Sequence, residues 1–362
     1  MDLKKRVLDI ANMLQSNAID AVILFDAANI RYFTELRMTE GVQSILVITA
    51  DAEITYIVPV LDYKRAILNC WINNIVIFPE DNPNYLMPLT QILQEKIIQK
   101  VGIEEDVLTY HKINFLKEVF HGELISVDNI LTNLRAVKTE EEIPLIRKAA
   151  EIADQAMFES LKIVQEGVRE ADVSALARYI MEKNGAERTS FPPFLMSGKN
   201  AWLPQRFSSD KEISKSELIL FDMGAIYKGY CSDLTRTFSL GNLSDHQREI
   251  FYLAYYAQQE AIKALKPGKQ AWEIDKVARD IISAAGYGSN FPHLTGHGLG
   301  MSIHEKPIID VGSNTILMPN MVVTIEPGIY VEGVGAARVE DMVLITETGC
   351  EVLTKTDRNL IN

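Results

Sequence analysis

Cysteine is scarce in this chain, and what there is cannot be paired off. Cys70, Cys231 and Cys350 are odd in number, far apart and without a CxxC spacing. That excludes a disulfide framework and fits a reducing compartment, with the cytoplasm the expected location. Long apolar runs are missing too: no stretch approaches the roughly 18 residues that a membrane-spanning helix needs. Basic residues are outnumbered, 36 Lys and Arg against 49 Asp and Glu, for a net charge of −13. Such a surface is a poor match for nucleic acid or an anionic membrane, so neither is an expected partner. The opening MDLKKRVLDIANMLQ has no apolar core or cleavage site of the kind a signal peptide carries. It reads as a helix with Leu3, Val7, Ile10 and Leu14 on one face.

What is present suits a globular protein, with 47% apolar and 23% charged residues. At 362 residues the chain has room for two domains. Residues 1–128 alternate strands (21–25, 44–50, 54–59, 74–78, and the KVGIEED and ELISV segments) with helices, one of them over 85–99. That is an α/β domain with a mixed sheet. His111 and His121 stand alone there among charged neighbours, and residues 29–34 read as a loop. The texture changes between Asp128 and Lys138, which gives a second domain over 129–362. Thr139 and Glu142 form a capping box ahead of a helix, and a second helix covers about 170–184. The proline-rich 190–210 segment reads as loop, and 217–240 as a hairpin. Helix, helix and hairpin then recur through about 244–265, 271–285 and 322–343, which suggests two related halves with a site between them.

The second hairpin carries two acids. Centred on Gly333, it sets Glu326 opposite Glu340, and facing carboxylates repel unless a cation joins them. In the first hairpin, a turn between Lys228 and Gly229 sets Asp222 opposite Thr235, with Asp233 as the diagonal neighbour of Asp222 on the same face. His297 sits between Gly296 and Gly298, where neighbours without side chains would let a cation and its ligands come close. Four carboxylates and an imidazole exceed what one catalytic zinc ion takes and suit two divalent ions. His304, in an apparent strand GMSIHE, could donate to a developing oxyanion, with His293 supporting. Arg338 shares a face with Glu340 and could orient a ligating carboxylate.

These blocks, DMGAIYKGYCSDLTRTF, TGHGLGMSIHE, VVTIEPGIY and RVEDM, resemble in order those of the pita-bread metallopeptidases, which include Xaa-Pro dipeptidase (prolidase), aminopeptidase P and methionine aminopeptidase. The LRAVKTEEEIPLIRKAA junction is similar to the first two. The resemblance implies a creatinase/prolidase-like amino-terminal domain before a pseudo-twofold pita-bread catalytic domain. It implies Asp222, Asp233, His297, Glu326 and Glu340 as ligands of two divalent ions, Mn²⁺ foremost with Co²⁺ and Zn²⁺ as alternatives. Asp233 and Glu340 would bridge the ions, Glu326 would move the proton of the bridging water, and His304 would stabilise the tetrahedral intermediate. Gln205, His293 and Arg338 would lie on the substrate side. The expected activity is hydrolysis of the bond before proline, in Xaa-Pro dipeptides, by a homodimer. The alternatives are aminopeptidase P-like action on longer peptides, and amide hydrolysis or lyase chemistry on a modified amino acid. Two departures bear on substrate: Gln205 stands where such peptidases usually carry His, and Ile308 where prolidases often place Arg.

Overall fold

Runs rich in β-branched residues set the strands of the amino-terminal part, because a pleated, buried surface accommodates their stiff side chains. The computed structural model describes residues 1–37, 39, 41–79, 86–95, 98–203 and 207–361. It divides into two units, Met1–Arg135 and Ala136–Asn362. The first contains α1 (Leu3–Ser16), β1 (Ala21–Leu24), α2 (Ala27–Thr34), β2 (Ile45–Thr49), β3 (Ile54–Pro59), α3 (Val60–Asn69), β4 (Ile75–Phe78) and α4 (Met87–Glu95). It continues with β5 (Lys100–Ile103), α5 (Tyr110–Val119), β6 (Glu123–Ser126) and α6 (Asp128–Ala136), whose last residue opens the second unit. The strands form one mixed sheet in the order β4-β3-β2-β1-β5-β6. Pairs β1–β2 and β2–β3 are antiparallel, while β3–β4, β1–β5 and β5–β6 are parallel. One expectation fails: residues 29–34 are not a loop. They belong to α2, whose N-cap Asp26 accepts from Asn29 N–H at 2.9 Å, and Ile30, Tyr32 and Phe33 are buried.

The second unit begins with α7 (Ile143–Leu161), α8 (Glu170–Lys183), β7 (Arg188–Thr189), β8 (Phe194–Ser197), β9 (Leu218–Met223) and β10 (Ala225–Tyr227). Next come β11 (Tyr230–Cys231), β12 (Leu234–Ser239), α9 (Asp245–Ala264), α10 (Ala271–Ala284), β13 (Gly296–Gly298) and β14 (Glu305–Ile309). It closes with β15 (Val322–Ile325), β16 (Gly328–Val331), β17 (Gly335–Arg338), β18 (Asp341–Ile345) and β19 (Cys350–Val352). Helix pair and strands thus occur twice in succession. The 190–210 segment is not all loop, since β8 pairs with β9 and sets Phe194 beside Asp222. The capping box at Thr139 is half made: Glu142 reaches back to Thr139 N–H at 2.9 Å, but Thr139 Oγ1 has no hydrogen-bond partner. Reciprocal capping boxes form instead at α9, between Ser244 and Gln247, and at α10, between Gln270 and Glu273.

Each helix pair packs on one face of its own strands, and alternation sends the intervening residues the other way. Ile152, Ala156 and Met157 of α7 and Val173 and Ala177 of α8 meet Ile219, Phe221 and Met223 of β9. Phe251 and Ala254 of α9 and Ile274 and Ala278 of α10 meet Val323, Ile325, Val343 and Ile345 of β15 and β18. The same strands therefore present Asp222 on one side and Thr324 on the other away from the helices, toward a common interior. This is the pita-bread arrangement, and it follows the mixed-sheet α/β unit in sequence. Among the described residues, no helix is long and apolar enough to cross a membrane.

Candidate metal centre

The two hairpins have the registers that their turn glycines dictate. Lys228 and Gly229 both take positive φ, 48° and 90°, which closes a two-residue turn of the type whose twist matches a hairpin. Tyr227 then pairs with Tyr230 and Asp222 with Thr235. In the second hairpin Val331 pairs with Gly335 and Gly328 with Arg338, and beyond a break Ile325 pairs with Asp341 in the same register. Glu326 and Glu340 occupy that break. The Glu326 N–H donates to the Thr295 carbonyl at 2.8 Å and the Glu340 N–H to the Thr235 carbonyl at 3.1 Å. The strands part at the two acids, and each acid is anchored to a different neighbouring segment.

All of the expected site residues that lie within the described part line one cavity of about 580 Å³: Asp222, Asp233, His293, His297, His304, Glu326, Arg338 and Glu340. Gln205 lies outside the described residues. His297 Nε2 is 3.5 Å from Asp233 Oδ2 and 3.3 Å from Glu326 Oε1. Asp233, His297 and Glu340 each offer a ligand atom, all within 4.8 Å of one another. His297 Nδ1 lies 3.0 Å from the Gly298 carbonyl, which fixes that nitrogen as the donor and leaves Nε2 as a lone-pair donor toward the acids. Its flanking glycines serve a different purpose from the one expected. A Cβ on Gly296 would sit 1.9 Å from the Thr324 carbonyl oxygen, and one on Gly298 2.2 Å from that of Lys306. They let neighbouring backbones close on the His297 strand. His304 is in an irregular loop ahead of β14, not a strand, and its exposed ring stands 4.3 Å from that of His297.

Charge in this cavity is out of balance. Burial raises the Glu340 carboxyl well above its ordinary range, reinforced by Asp233, Glu326 and Asp222 and opposed by Arg338. Burial also raises Asp222, with Arg338 pulling the other way and Glu326 adding to the rise. For Glu326 burial opposes the charge, but His297, His293 and Arg338 outweigh it and hold the carboxyl below its usual value. Asp222 Oδ1 and Glu340 Oε1 are buried and accept no hydrogen bond. An unused lone pair on each of two buried carboxylates, beside an imidazole nitrogen with its own lone pair, is a donor set that fits divalent cations.

Sequence reasoning missed Tyr330 and Thr235 as the links that hold these groups. Arg338 donates through Nη2 to Asp222 Oδ2, through Nη1 to Tyr330 Oη at 2.6 Å and through Nε to Thr235 Oγ1 at 3.2 Å. Thr235 in turn donates to Glu340 Oε2 at 2.7 Å. His293 has Nε2 at 3.0 Å from Tyr330 Oη and Nδ1 at 2.8 Å from the Leu294 carbonyl. Both His293 nitrogens and the Arg338 guanidinium therefore face protein partners. Strand alternation was the available signal for Tyr330, which shares its face with Gly328 and, across the break, with Glu326.

A model of metallopeptidase family M24 matches residues 144–347, and one of the creatinase/prolidase N-terminal domain matches residues 6–137. The chain belongs to metallopeptidase family M24. Within that family, the Xaa-Pro dipeptidase of Pyrococcus furiosus is 39% identical over 99% of this chain and 100% of its own length. The solved prolidase of Pyrococcus horikoshii is 36% identical, with a TM-score of 0.92 over 99% of this chain and 100% of that one. An X-Pro aminopeptidase from Thermotoga maritima is 30% identical, with a TM-score of 0.89 over 99% of both chains. An M24 chain is expected to take divalent metal ions, and the donor set above is where this one offers them.

Proposed function

We propose that this metallopeptidase hydrolyses the peptide bond before proline, with Xaa-Pro dipeptides as its first substrates and two divalent ions as its cofactor. The observation that carries this reading is the convergence of Asp222, Asp233, His297, Glu326 and Glu340 on one cavity, with Asp222 Oδ1 and Glu340 Oε1 unpartnered. Those five residues would hold the ions, Asp233 and Glu340 serving both. Mn²⁺ is the first choice, and Co²⁺ and Zn²⁺ suit the same oxygen and nitrogen donors. The chemistry such ions supply when bound is acidification of water and polarisation of a carbonyl.

The remaining work falls to the chain. Glu326, held anionic, takes the proton of the attacking water and returns it to the prolyl nitrogen as the C–N bond breaks. His304 donates to the carbonyl oxygen as it gains charge. Arg338 holds Asp222 and, through Thr235, Glu340, so that the donors are set before substrate arrives. The ring of His293 and the guanidinium of Arg338 form part of the wall that meets the substrate, with Gln205 assigned to the same side from the sequence. Phe191, Phe194 and Met196 line the cavity too and suit an apolar prolyl ring. The homodimer expected for such an enzyme agrees with two outward-facing leucines of α3, Leu61 and Leu68, exposed by 74% and 79%. A cytoplasmic setting agrees with three free cysteines.

One observation favours a second reading, action on longer peptides. Arg338 is the one guanidinium or ammonium side chain among the described lining residues, and it is engaged with Asp222, while Asp310 adds a further acid. Among the described lining residues, a dipeptide's own carboxylate finds no spare guanidinium or ammonium group. The test is reconstitution with each metal followed by a screen of Xaa-Pro dipeptides, Xaa-Pro-Yaa tripeptides and non-proline controls. Turnover confined to proline peptides is expected. Two bound ions without turnover of any proline peptide would overturn the proposal, and tripeptides outpacing dipeptides would select the second reading.

A further inference from the structure

We infer that Lys138 is a positioning residue for His304: its buried ammonium group pairs with Glu305 and thereby fixes the loop that presents the His304 imidazole to the cavity. The inference rests on the proposed role of His304 as a donor to the reacting carbonyl. Lys138 is not among the described residues lining the cavity, so it acts at one remove. Its side chain is 1% exposed and that of Glu305 6%, with Nζ 3.0 Å from Oε2.

The other carboxylate oxygen of Glu305 closes the loop, accepting Ser302 N–H at 2.8 Å. Gly300 packs against the pair: a Cβ there would lie 2.8 Å from Glu305 Oε2 and 3.1 Å from Lys138 Cε. The Gly300 N–H donates to the Ser302 carbonyl at 3.0 Å, and its carbonyl accepts from Cys231 N–H at 2.7 Å. The loop between Gly298 and Glu305, which pair across β13 and β14, is thus tied at 300, 302 and 305. His304 directly precedes the last tie, and its ring is exposed on the cavity side. Lys138 is itself held, its N–H donating to the Asn320 carbonyl at 2.9 Å. Without the ammonium group, Glu305 would be a buried anion beside a cavity that already carries Asp222, Asp233, Glu326 and Glu340. Such a carboxylate turns to water, drops Ser302 N–H and frees the loop.

Lys138→Met should lower kcat about 100-fold, the order expected when a reacting group shifts by about an ångström, with KM and metal content within about twofold of the parent. In a His304→Ala background the same change should cost nothing further. Glu305→Gln keeps an acceptor for Ser302 and removes the charge, so it should cost far less than Lys138→Met, and the Lys138→Met/Glu305→Gln pair should recover at least about tenfold. In the metal-free protein with ring-labelled histidine, Lys138→Met should move the His304 signal and leave those of His111, His121 and His246 in place. Full kcat in Lys138→Met while His304→Ala is impaired would overturn the inference, as would losses that add in the double variant or a Glu305→Gln defect as large as that of Lys138→Met. If His304→Ala alone keeps full kcat, the donor role of His304 falls separately. The histidine spectrum then decides whether Lys138 places the ring, and an unmoved signal refutes it.

Discussion

Arg236 offers the sharpest test of how the catalytic unit is held together. It lies on β12 next to Thr235, and its side chain and that of Asp341 are both fully buried, with Nη2 2.8 Å from Oδ1. Nη1 donates to the carbonyls of Thr235 and Glu340, Nε to that of Asp357 at 2.9 Å, and Nη2 also to that of Thr356 at 2.7 Å. Removing one partner of a buried pair leaves an uncompensated charge and typically costs about 3–5 kcal/mol. Asp341 would keep Gln258, Thr354 and the partly exposed Arg358 as donors, which sets the expected loss for Arg236→Met near the lower end, about 3 kcal/mol. For a unit spanning residues 136–362, that is a fall in Tm of roughly 6–12 °C. Urea denaturation and thermal melts of the metal-free protein measure it. The cost should be the same at low and high salt, because a pair without solvent contact is little screened. A loss below about 1 kcal/mol, or one that vanishes in high salt, would refute the argument that this pair braces the sheet behind Glu340.

Other outcomes follow from the same geometry. Glu340→Gln should weaken binding of at least one ion, measured by titration calorimetry and metal analysis, and retention of both would remove Glu340 from the bridging role. The same substitution should stabilise the metal-free protein near neutral pH. The folded-state pKa of Glu340 is raised, so the folded protein holds a proton that the unfolded chain gives up, and stability falls as pH climbs above the unfolded value near 4.3. The variant should lose that slope, and an unchanged pH profile would disprove the assignment. Adding metal at about 100 times its dissociation constant should raise unfolding free energy by about 2.7 kcal/mol, visible as a Tm shift that a chelator reverses. Glu170, fully buried, accepts from the N–H and hydroxyl groups of both Ser197 and Ser209 and from Asn200. Glu170→Gln turns one acceptor into a donor among donors and should cost about 1–3 kcal/mol in a denaturation curve.

The site was legible largely because strand alternation and glycine turns are local rules. Counting outward from Gly333, and from the Lys228–Gly229 turn, gave the pairings that the ladders show. Where tertiary context decides, local reading fell short. Helix α2 is too short for its periodicity to stand out, and its one local signal is the Asp26 cap. Strand β8 hides behind two prolines and exists because β9 offers it an edge. GMSIHE alternates like a strand, yet its backbone is drawn into a loop by its own Glu305 side chain, which takes Ser302 N–H, and by Cys231, far away in the chain. Glycines 296 and 298 admit the carbonyls of Thr324 and Lys306, which belong to the two strands that flank His297 and which a reading of the Gly-His-Gly triplet alone does not contain.

The exposed turn at Gly333 has a use of its own. Gly333 takes φ +76° and has open space where a side chain would be, with exposed Glu332 beside it. Residues added at that tip lengthen the turn without moving either arm past the other, so every acid below keeps its partner and its face. A residue added within either arm would instead swap the helix-packed row with the cavity-lining row. The tip is therefore a natural port for a fluorophore, a tether or a second domain, carried on an arm that runs down to Glu326 and Glu340.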